Sequence, residues 1–385
     1  MKILFWCPLI SSDIGTVGTI LNTVKSINKF SKNKYELLIL NIAKEWSLYK
    51  KFFYKNNSKL VDLNIGLNFD TLPKGTLIKS RFTYIIISIF SLINFHKLIL
   101  KERPNFIFIH LITFTPLFLM NIFNYNTRFV LRISGYPKLN FFRKIFWKFS
   151  NKKIYKVLCP TLETKKQLIK NKIFDNKKIH VINEPIIDLE KINQLRKKKL
   201  NKKNEFGKYV VSIGRLTKQK NHRFLIKCFD KILKLIPDLK LIICGKGEEN
   251  LNLKKQIYKL NRKKEIILTG YKKNIEPILK NSLFFILTSE WEDPGFVIVE
   301  SMFFNTIVFS SNCENGPKDL IKDSHNGFLF KKNDEQDFVK KFLKIYKLVM
   351  TDEKLINKIK LNAKYKTKLY GLRYYYNLLE KILIK

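Results

Sequence analysis

Short, almost purely apolar runs alternate along this chain with longer amphipathic stretches, and this rhythm restricts the possible folds more than any other feature. A strand covered on both faces reads as an unbroken apolar run. Two parallel strands need a crossover of a dozen or more residues between them, usually a helix. In the first half, Ile3–Cys7, Tyr35–Leu40, Phe106–Ile109, Phe129–Ile133, Val157–Cys159 and Val181–Ile182 read as strands. Thr19–Phe30, Phe82–Leu100 and Thr164–Lys170 read as helices. The rhythm restarts with strands at Tyr209–Ile213, Leu239–Cys244, Ile266–Leu268, Leu283–Thr288 and Ile307–Phe309. The expected class is α/β: two Rossmann-like, doubly wound domains facing a cleft, with ligands at the carboxyl ends of the strands.

The 385 residues suit two domains at roughly 100–200 residues each. Asp188–Lys208 is the most basic and least apolar stretch, with Arg196 followed by three lysines, and reads as a linker with a frayed helix. The expected division is 1–188 for the first domain, 189–208 for the linker and 209–366 for the second domain. Residues 367–385 are expected as a C-terminal helix packing back on the first domain.

The formal net charge is +43, from 74 basic and 31 acidic side chains. Such an excess asks for an anionic partner: nucleic acid, an acidic membrane face or a phosphorylated small molecule. The charge is spread evenly, however. Residues 1–190 carry 31 basic and 11 acidic groups, net +20, and the remainder carries 43 and 20, net +23. All but 10 of the 74 basic residues are lysine, and Asn, Ile and Phe are abundant, the mixture an AT-rich genome produces. One local asymmetry remains. Residues 103–162 contain ten cations and no acid, and within them Phe141–Phe149 interleaves aromatics with Arg143, Lys144 and Lys148. On a helix, Phe142, Ile145, Phe146 and Phe149 share a stripe. An interfacial helix at an anionic membrane surface has this composition, and so does an amphipathic helix facing its own domain.

Five cysteines (Cys7, Cys159, Cys228, Cys244, Cys313) show neither a zinc spacing nor a secreted framework, which points to the cytoplasm. The run Ile3–Ile10 mimics a short signal peptide. Pro8 interrupts it, and a polar Ser-Ser-Asp sequence follows in place of a small-residue cleavage site. Phe82–Phe95 is uncharged, but Lys97 closes it before the length of a membrane span. Pro104–Thr127 splits into a strand, a loop and a short helix, so no span is expected.

The chemistry concentrates at two strand ends. After Leu283–Thr288 the chain reads Ser289-Glu290-Trp291-Glu292-Asp293-Pro294-Gly295-Phe296, then Val297 to Phe304, apolar except for Glu300 and Ser301. Pro294 suits the first turn of a helix, and a helix apolar all round is a buried one. A carboxylate on it needs donors, either an internal cation or ligand hydroxyls, so Glu300 is a candidate site residue. Glu292 precedes the helix start, whose free N–H groups around Gly295 and Phe296 favour an anion. Gly295 allows close approach of backbone to a ligand. At the other strand end, Gly214-Arg215-Leu216-Thr217-Lys218-Gln219-Lys220-Asn221 brings Arg215 and Lys220 into one turn, cations suited to a diphosphate. Anion, hydroxyl-binding acids and paired cations together describe a nucleotide sugar.

These segments resemble the retaining glycosyltransferases of family 4, which have the two-domain GT-B fold. The resemblance rests on four blocks in order. They are Gly214-Arg215-Leu216 with Lys220-Asn221; Gly245-Lys246-Gly247; the E-x7-E pair Glu292 and Glu300; and Asn312–Ile321 followed by Asn326–Phe330. It implies that Arg215 and Lys220 hold the donor diphosphate, that Glu300 binds the ribose, and that Glu292 contacts the sugar near its reacting carbon. It further implies transfer of a hexose or N-acetylhexosamine from a nucleotide sugar, a UDP-sugar foremost. The acceptor would be a saccharide on a lipid carrier or surface polysaccharide, reached at the inner face of the cell membrane. No other cofactor is expected, and no Asp-x-Asp pair is present to grip a metal ion.

The first half departs from the family. Gly15 and Gly18, in Ser11–Gly18, stand where a Gly-Gly loop is usual, and Gly15 is the candidate for donor phosphate contact. The histidine that many relatives carry after the strand matching Phe129–Ile133 is missing, and His110, ending the strand before it, is the remaining imidazole there. Two rival readings follow. A charge-driven nucleic-acid-binding protein would cluster its cations and aromatics on one domain, which the even charge argues against, so no nucleic-acid partner is expected. The other is a catalytically silent GT-B subunit, suggested by the missing histidine.

Overall fold

The computed structural model describes residues 1–9, 14–73, 77–133, 139–197 and 206–384. The chain forms two compact units, Met1–Pro185 with Leu372–Lys385, and Ile186–Gly371. The first crossing thus falls at Pro185–Ile186, three residues before the expected boundary, and the second at Gly371–Leu372, five residues after the expected end of the second domain. The first part of the expected linker is a helix, Leu189–Lys197, counted with the second unit, and residues 198–205 lie outside the described residues.

The first unit is built on β1 (Lys2–Trp6), β2 (Glu36–Asn41), β3 (Ser58–Asp62), β4 (Phe106–Ile109), β5 (Arg128–Arg132), β6 (Ile154–Cys159) and β7 (Ile179–Val181). They form one sheet in the order β3-β2-β1-β4-β5-β6-β7, parallel throughout. The second unit holds β8 (Tyr209–Ile213), β9 (Lys240–Cys244), β10 (Ile266–Gly270), β11 (Phe285–Leu287), β12 (Val308–Ser311) and β13 (Phe328–Phe330). Its sheet is also parallel, in the order β10-β9-β8-β11-β12-β13.

The apolar runs are continuous because each sheet is covered on both faces. Leu4, Trp6, Leu38 and Leu40 enter one core of the first unit, while Ile3, Phe5, Leu37 and Ile39 enter the other. Side chains alternate across a strand, so both parities must be apolar. The helix Leu372–Ile384 joins the second of these cores. Tyr375, Leu379 and Ile382 pack there with Val17, Ile20 and Val24 of the helix Ile14–Phe30.

Four elements differ from the sequence reading. The helix Ile14–Phe30 begins five residues early, so Gly15 and Gly18 are helical rather than loop residues. The apolar spacing of Val17, Ile20, Val24 and Ile27 outweighs two glycines costing roughly 1 kcal/mol each. β3 and β13 were not foreseen. β3 is an edge strand carrying Lys59 and Asp62, charges that blunt an edge and hide its pattern. β13 has three residues, too short to show periodicity. The helix expected at Phe82–Leu100 spans Leu77–Glu102, five residues longer at its start and two at its end. From Arg81 it is long and apolar enough to cross a membrane by length and composition, although Ile87, Phe95 and Ile99 lie in the core.

Candidate functional site

In an open parallel sheet, ligands bind where the strand order reverses, because the loops from the two neighbouring strands diverge there. The second unit reverses between β8 and β11. The Gly214–Asn221 loop leaves β8, and Thr288–Gly295 leaves β11, so the two candidate segments emerge side by side.

Backbone and side-chain bonds knit them together. Glu290 N–H donates to the Gln219 carbonyl at 2.8 Å, and Gln219 Nε2 returns a bond to the Trp291 carbonyl at 2.8 Å. Thr288 Oγ1 donates to the carbonyls of Lys220 and Asn221 at 3.1 and 3.2 Å. Asn221, at φ 49°, ends the turn and starts the helix His222–Leu233. Asparagine tolerates this left-handed conformation better than most residues.

At the centre, Lys220 Nζ meets Glu292 Oε1 at 2.5 Å, and Ser289 Oγ donates to the same oxygen at 2.5 Å. Their side chains are 12% and 5% exposed, so this is a nearly desolvated charge pair. The sequence reading gave the two residues to different parts of a donor; the structure brings them into direct contact. Arg215 is exposed and reaches Gln219 Oε1 with Nη2 at 3.3 Å.

Gly295 stands at φ 89° and caps the helix Phe296–Phe303, whose first residue is Phe296. Pro294 therefore precedes the helix instead of opening it, because the glycine's left-handed turn intervenes. Val297, Ile298, Val299, Ser301 and Met302 are buried as expected. Glu300 is half-buried on this helix, and its carboxylate makes no ion pair or side-chain hydrogen bond with the described residues. Desolvation pushes it up to about 7, with Lys191 pulling the other way. An acid so raised and so poorly partnered stands ready to take donors from a ligand. Lys191, on the helix Leu189–Lys197, escaped the sequence reading because it lies in a lysine-rich segment read as linker.

The glycine block after β9 has a packing reason. A β-carbon on Gly245 would collide with the Gly214 carbonyl oxygen, and one on Gly247 with that of Leu216. Leu216 N–H donates to the Lys246 carbonyl at 3.0 Å, so the loop after β9 lies directly on the loop carrying Arg215 and Lys220. Gly245→Ala is therefore expected to cost about 1–3 kcal/mol, read as a lower melting temperature. An unchanged transition would show that the two loops part without penalty.

The first unit has its own reversal, between β1 and β4. His110, after β4, is buried with its Nδ1 3.4 Å from Arg132 Nη1, at the end of β5. Arg132 is ion-paired with Glu184, their side chains 1% and 4% exposed. Burial and the adjacent guanidinium hold His110 well below its usual range, hence neutral. The sequence reading missed the Arg132–Glu184 pair; the signal was an arginine ending a buried strand in a chain with few arginines. Residues 134–138, where the family histidine was sought, lie outside the described residues. Gly15 sits in the first turn of Ile14–Phe30, its carbonyl accepting from Thr19 Oγ1 at 3.1 Å. It belongs to the first unit, whereas Arg215, Lys220, Glu292, Gly295, Phe296 and Glu300 all belong to the second.

Two parallel-sheet α/β domains of this construction are the GT-B fold of glycosyltransferases. Anabaena HepE in complex with UDP aligns with all of this chain and all of its own, at TM-score 0.72 and 16% identity, a likeness of fold. Residues 191–364, most of the second unit, match the family described as glycosyl transferases group 1. An uncharacterized glycosyltransferase of Methanocaldococcus jannaschii is 32% identical over 244 residues, 58% of this chain and 60% of that protein. The UDP-Gal:alpha-D-GlcNAc-diphosphoundecaprenol alpha-1,3-galactosyltransferase of Escherichia coli is 33% identical over 228 residues, 57% of each chain. The aligned region thus spans less than two thirds of these curated relatives.

Proposed function

We propose that the protein is a retaining glycosyltransferase of family 4. In this reading it moves a hexose or N-acetylhexosamine from a UDP-sugar to a saccharide on a lipid carrier or surface polysaccharide. It works in the cytoplasm at the inner membrane face. The observation that carries the reading is the desolvated Lys220–Glu292 pair at the strand-order reversal, with Glu300 on the helix that follows. The names of the Escherichia coli relative and of the UDP-bound Anabaena structure support donor and acceptor class.

Departure of the nucleotide builds negative charge on the diphosphate. Arg215, Lys220 and the free N–H groups at Gly295 and Phe296 lower that barrier because they are fixed before the charge appears. Glu292, held by Lys220 and Ser289, presents its carboxylate beside the reacting carbon. Glu300 accepts from the ribose hydroxyls. No metal ion is given a role, since these cations and the helix start supply the positive charge. Release of UDP from a panel of UDP-sugars, measured with extracted lipid-linked acceptors, tests the reading. Absence of turnover with every donor on every acceptor would leave the silent-subunit alternative standing.

Donor binding carries a pH signature. Ribose hydroxyls donate to the ionised form of Glu300, whose carboxyl titrates at about 7 in the free protein. Affinity for UDP-glucose is therefore full above that pH and falls as pH drops through it, approaching tenfold per unit. By calorimetry, Glu300→Gln is expected to weaken binding about 10- to 100-fold above pH 7 and to flatten the pH profile. Arg215→Ala should weaken binding without removing the pH dependence. Unchanged affinity in both variants would sink the assignment of the donor site.

A further inference from the structure

We propose that one face of the first unit, formed by the helices Leu77–Glu102, Phe114–Ile122 and Phe141–Ser150, docks on an anionic lipid bilayer. The three helices are neighbours on one side of the seven-stranded sheet and share one core. Thr115 Oγ1 of the second donates to the Ser88 carbonyl of the first at 3.1 Å. Phe114 of the second stacks on Phe146 of the third, with centroids 5.4 Å apart. The surface is therefore continuous.

Its outward side is apolar where a water-facing helix carries polar residues. On the long helix, Phe82, Ile85, Ile89 and Ile93 recur every three or four residues, and each is more than half exposed. On the third, Phe142, Ile145 and Phe149 form a second stripe, exposed by 80%, 53% and 67%. A contiguous apolar patch of this kind marks an interaction surface.

Charge selects the occupant. The long helix has no charged residue between Arg81 and Lys97, and residues 103–162 contain no acid; of the cations in that window, Arg132 is buried against Glu184 and adds nothing to the surface. Arg143, Lys144 and Lys148 alternate with the exposed rings of the third helix. An apolar centre with a cationic border matches a bilayer with anionic headgroups, which offers an apolar layer beneath a negative surface. The long helix lies along that surface instead of crossing it. Ile87, Phe95 and Ile99 hold its inner side in the domain core, and Phe95 packs on Trp6 at 4.5 Å. For a lipid-linked acceptor, which rests on the function proposed above, this face would bring the enzyme to its substrate. The docking itself is testable without sugar transfer.

The test is flotation of the full chain with vesicles of phosphatidylcholine, alone or mixed equally with phosphatidylglycerol. The protein is expected to float with the mixed vesicles and not with phosphatidylcholine. The triple variants Ile85→Gln/Ile89→Gln/Ile93→Gln and Phe141→Ser/Phe142→Ser/Phe149→Ser should each weaken binding by about tenfold or more. Their melting temperatures should stay unchanged, because these side chains are exposed. Equal flotation of parent and both variants would overturn the proposal, leaving net charge as the whole attraction. Concentration-dependent dimers that both triple variants abolish, without vesicle binding by the parent, would overturn it too and make this a face between copies. UDP release with a detergent-solubilised acceptor is run on the same variants. Flotation without UDP release rejects the glycosyltransferase reading alone, and UDP release without flotation rejects the docking face alone.

Discussion

Lys220→Ala is expected to lower kcat for sugar transfer by about 10²–10³-fold, the usual loss when a preorganised group facing developing charge is removed. Its side chain is 12% exposed and its ammonium is already held at 2.5 Å from Glu292, so on the proposed reading it needs no reorganisation when the leaving diphosphate gains charge. The same change leaves Glu292 with the Ser289 hydroxyl but without its cation. A carboxylate 5% exposed cannot be stranded without cost, so the melting temperature should fall as well. The two effects separate in the double variant Lys220→Met/Glu292→Gln, in which no buried charge is left over. That variant should recover thermal stability and remain inactive. A Lys220→Ala protein with kcat close to that of the parent would show that the ammonium does not face the leaving group.

The second large effect is on stability and lies in the first unit. Arg132→Ala is expected to destabilise it by about 3–5 kcal/mol, because Glu184 then stays buried and unpaired. For a unit of this size the melting temperature should drop by about 10 °C in scanning calorimetry. Burial first and the Arg132 charge second hold His110 neutral, so the variant removes the second cause and should let His110 take a proton at somewhat higher pH than before. The paired replacement Arg132→Met/Glu184→Met should regain most of the lost stability, since a well-packed apolar pair avoids the desolvation of two charges. A fall of only a degree or two in Arg132→Ala would mean that water reaches Glu184.

The legibility of the chain followed the strength of each physical signal. Core strands such as Ile3–Cys7 and Tyr209–Ile213 were plain, because burial on two faces forces every position to be apolar. β3 was hidden by edge charges, and β13 by its length. Glu300 stood out as a lone acid in an apolar helix, and the structure places it half-buried with a raised carboxyl. Lys220 could not be told from 63 other lysines until β8 and β11 became neighbours. Arg132 and Glu184 are 52 residues apart, and nothing local in either segment announces the other.

The sequence by itself determined the α/β class, the two-domain plan and the segments from which a donor site could be built. Those properties rest on periodicity and on residue types within single stretches, which a chain carries before it folds. Only the tertiary structure decided that Lys220 pairs with Glu292 across 72 residues, and that His110 lies under a buried guanidinium. It alone decided that three helices share one exposed apolar face. Each of these depends on which strands and helices become neighbours, and that is set by the summed packing of a whole unit. No single stretch of the chain encodes it.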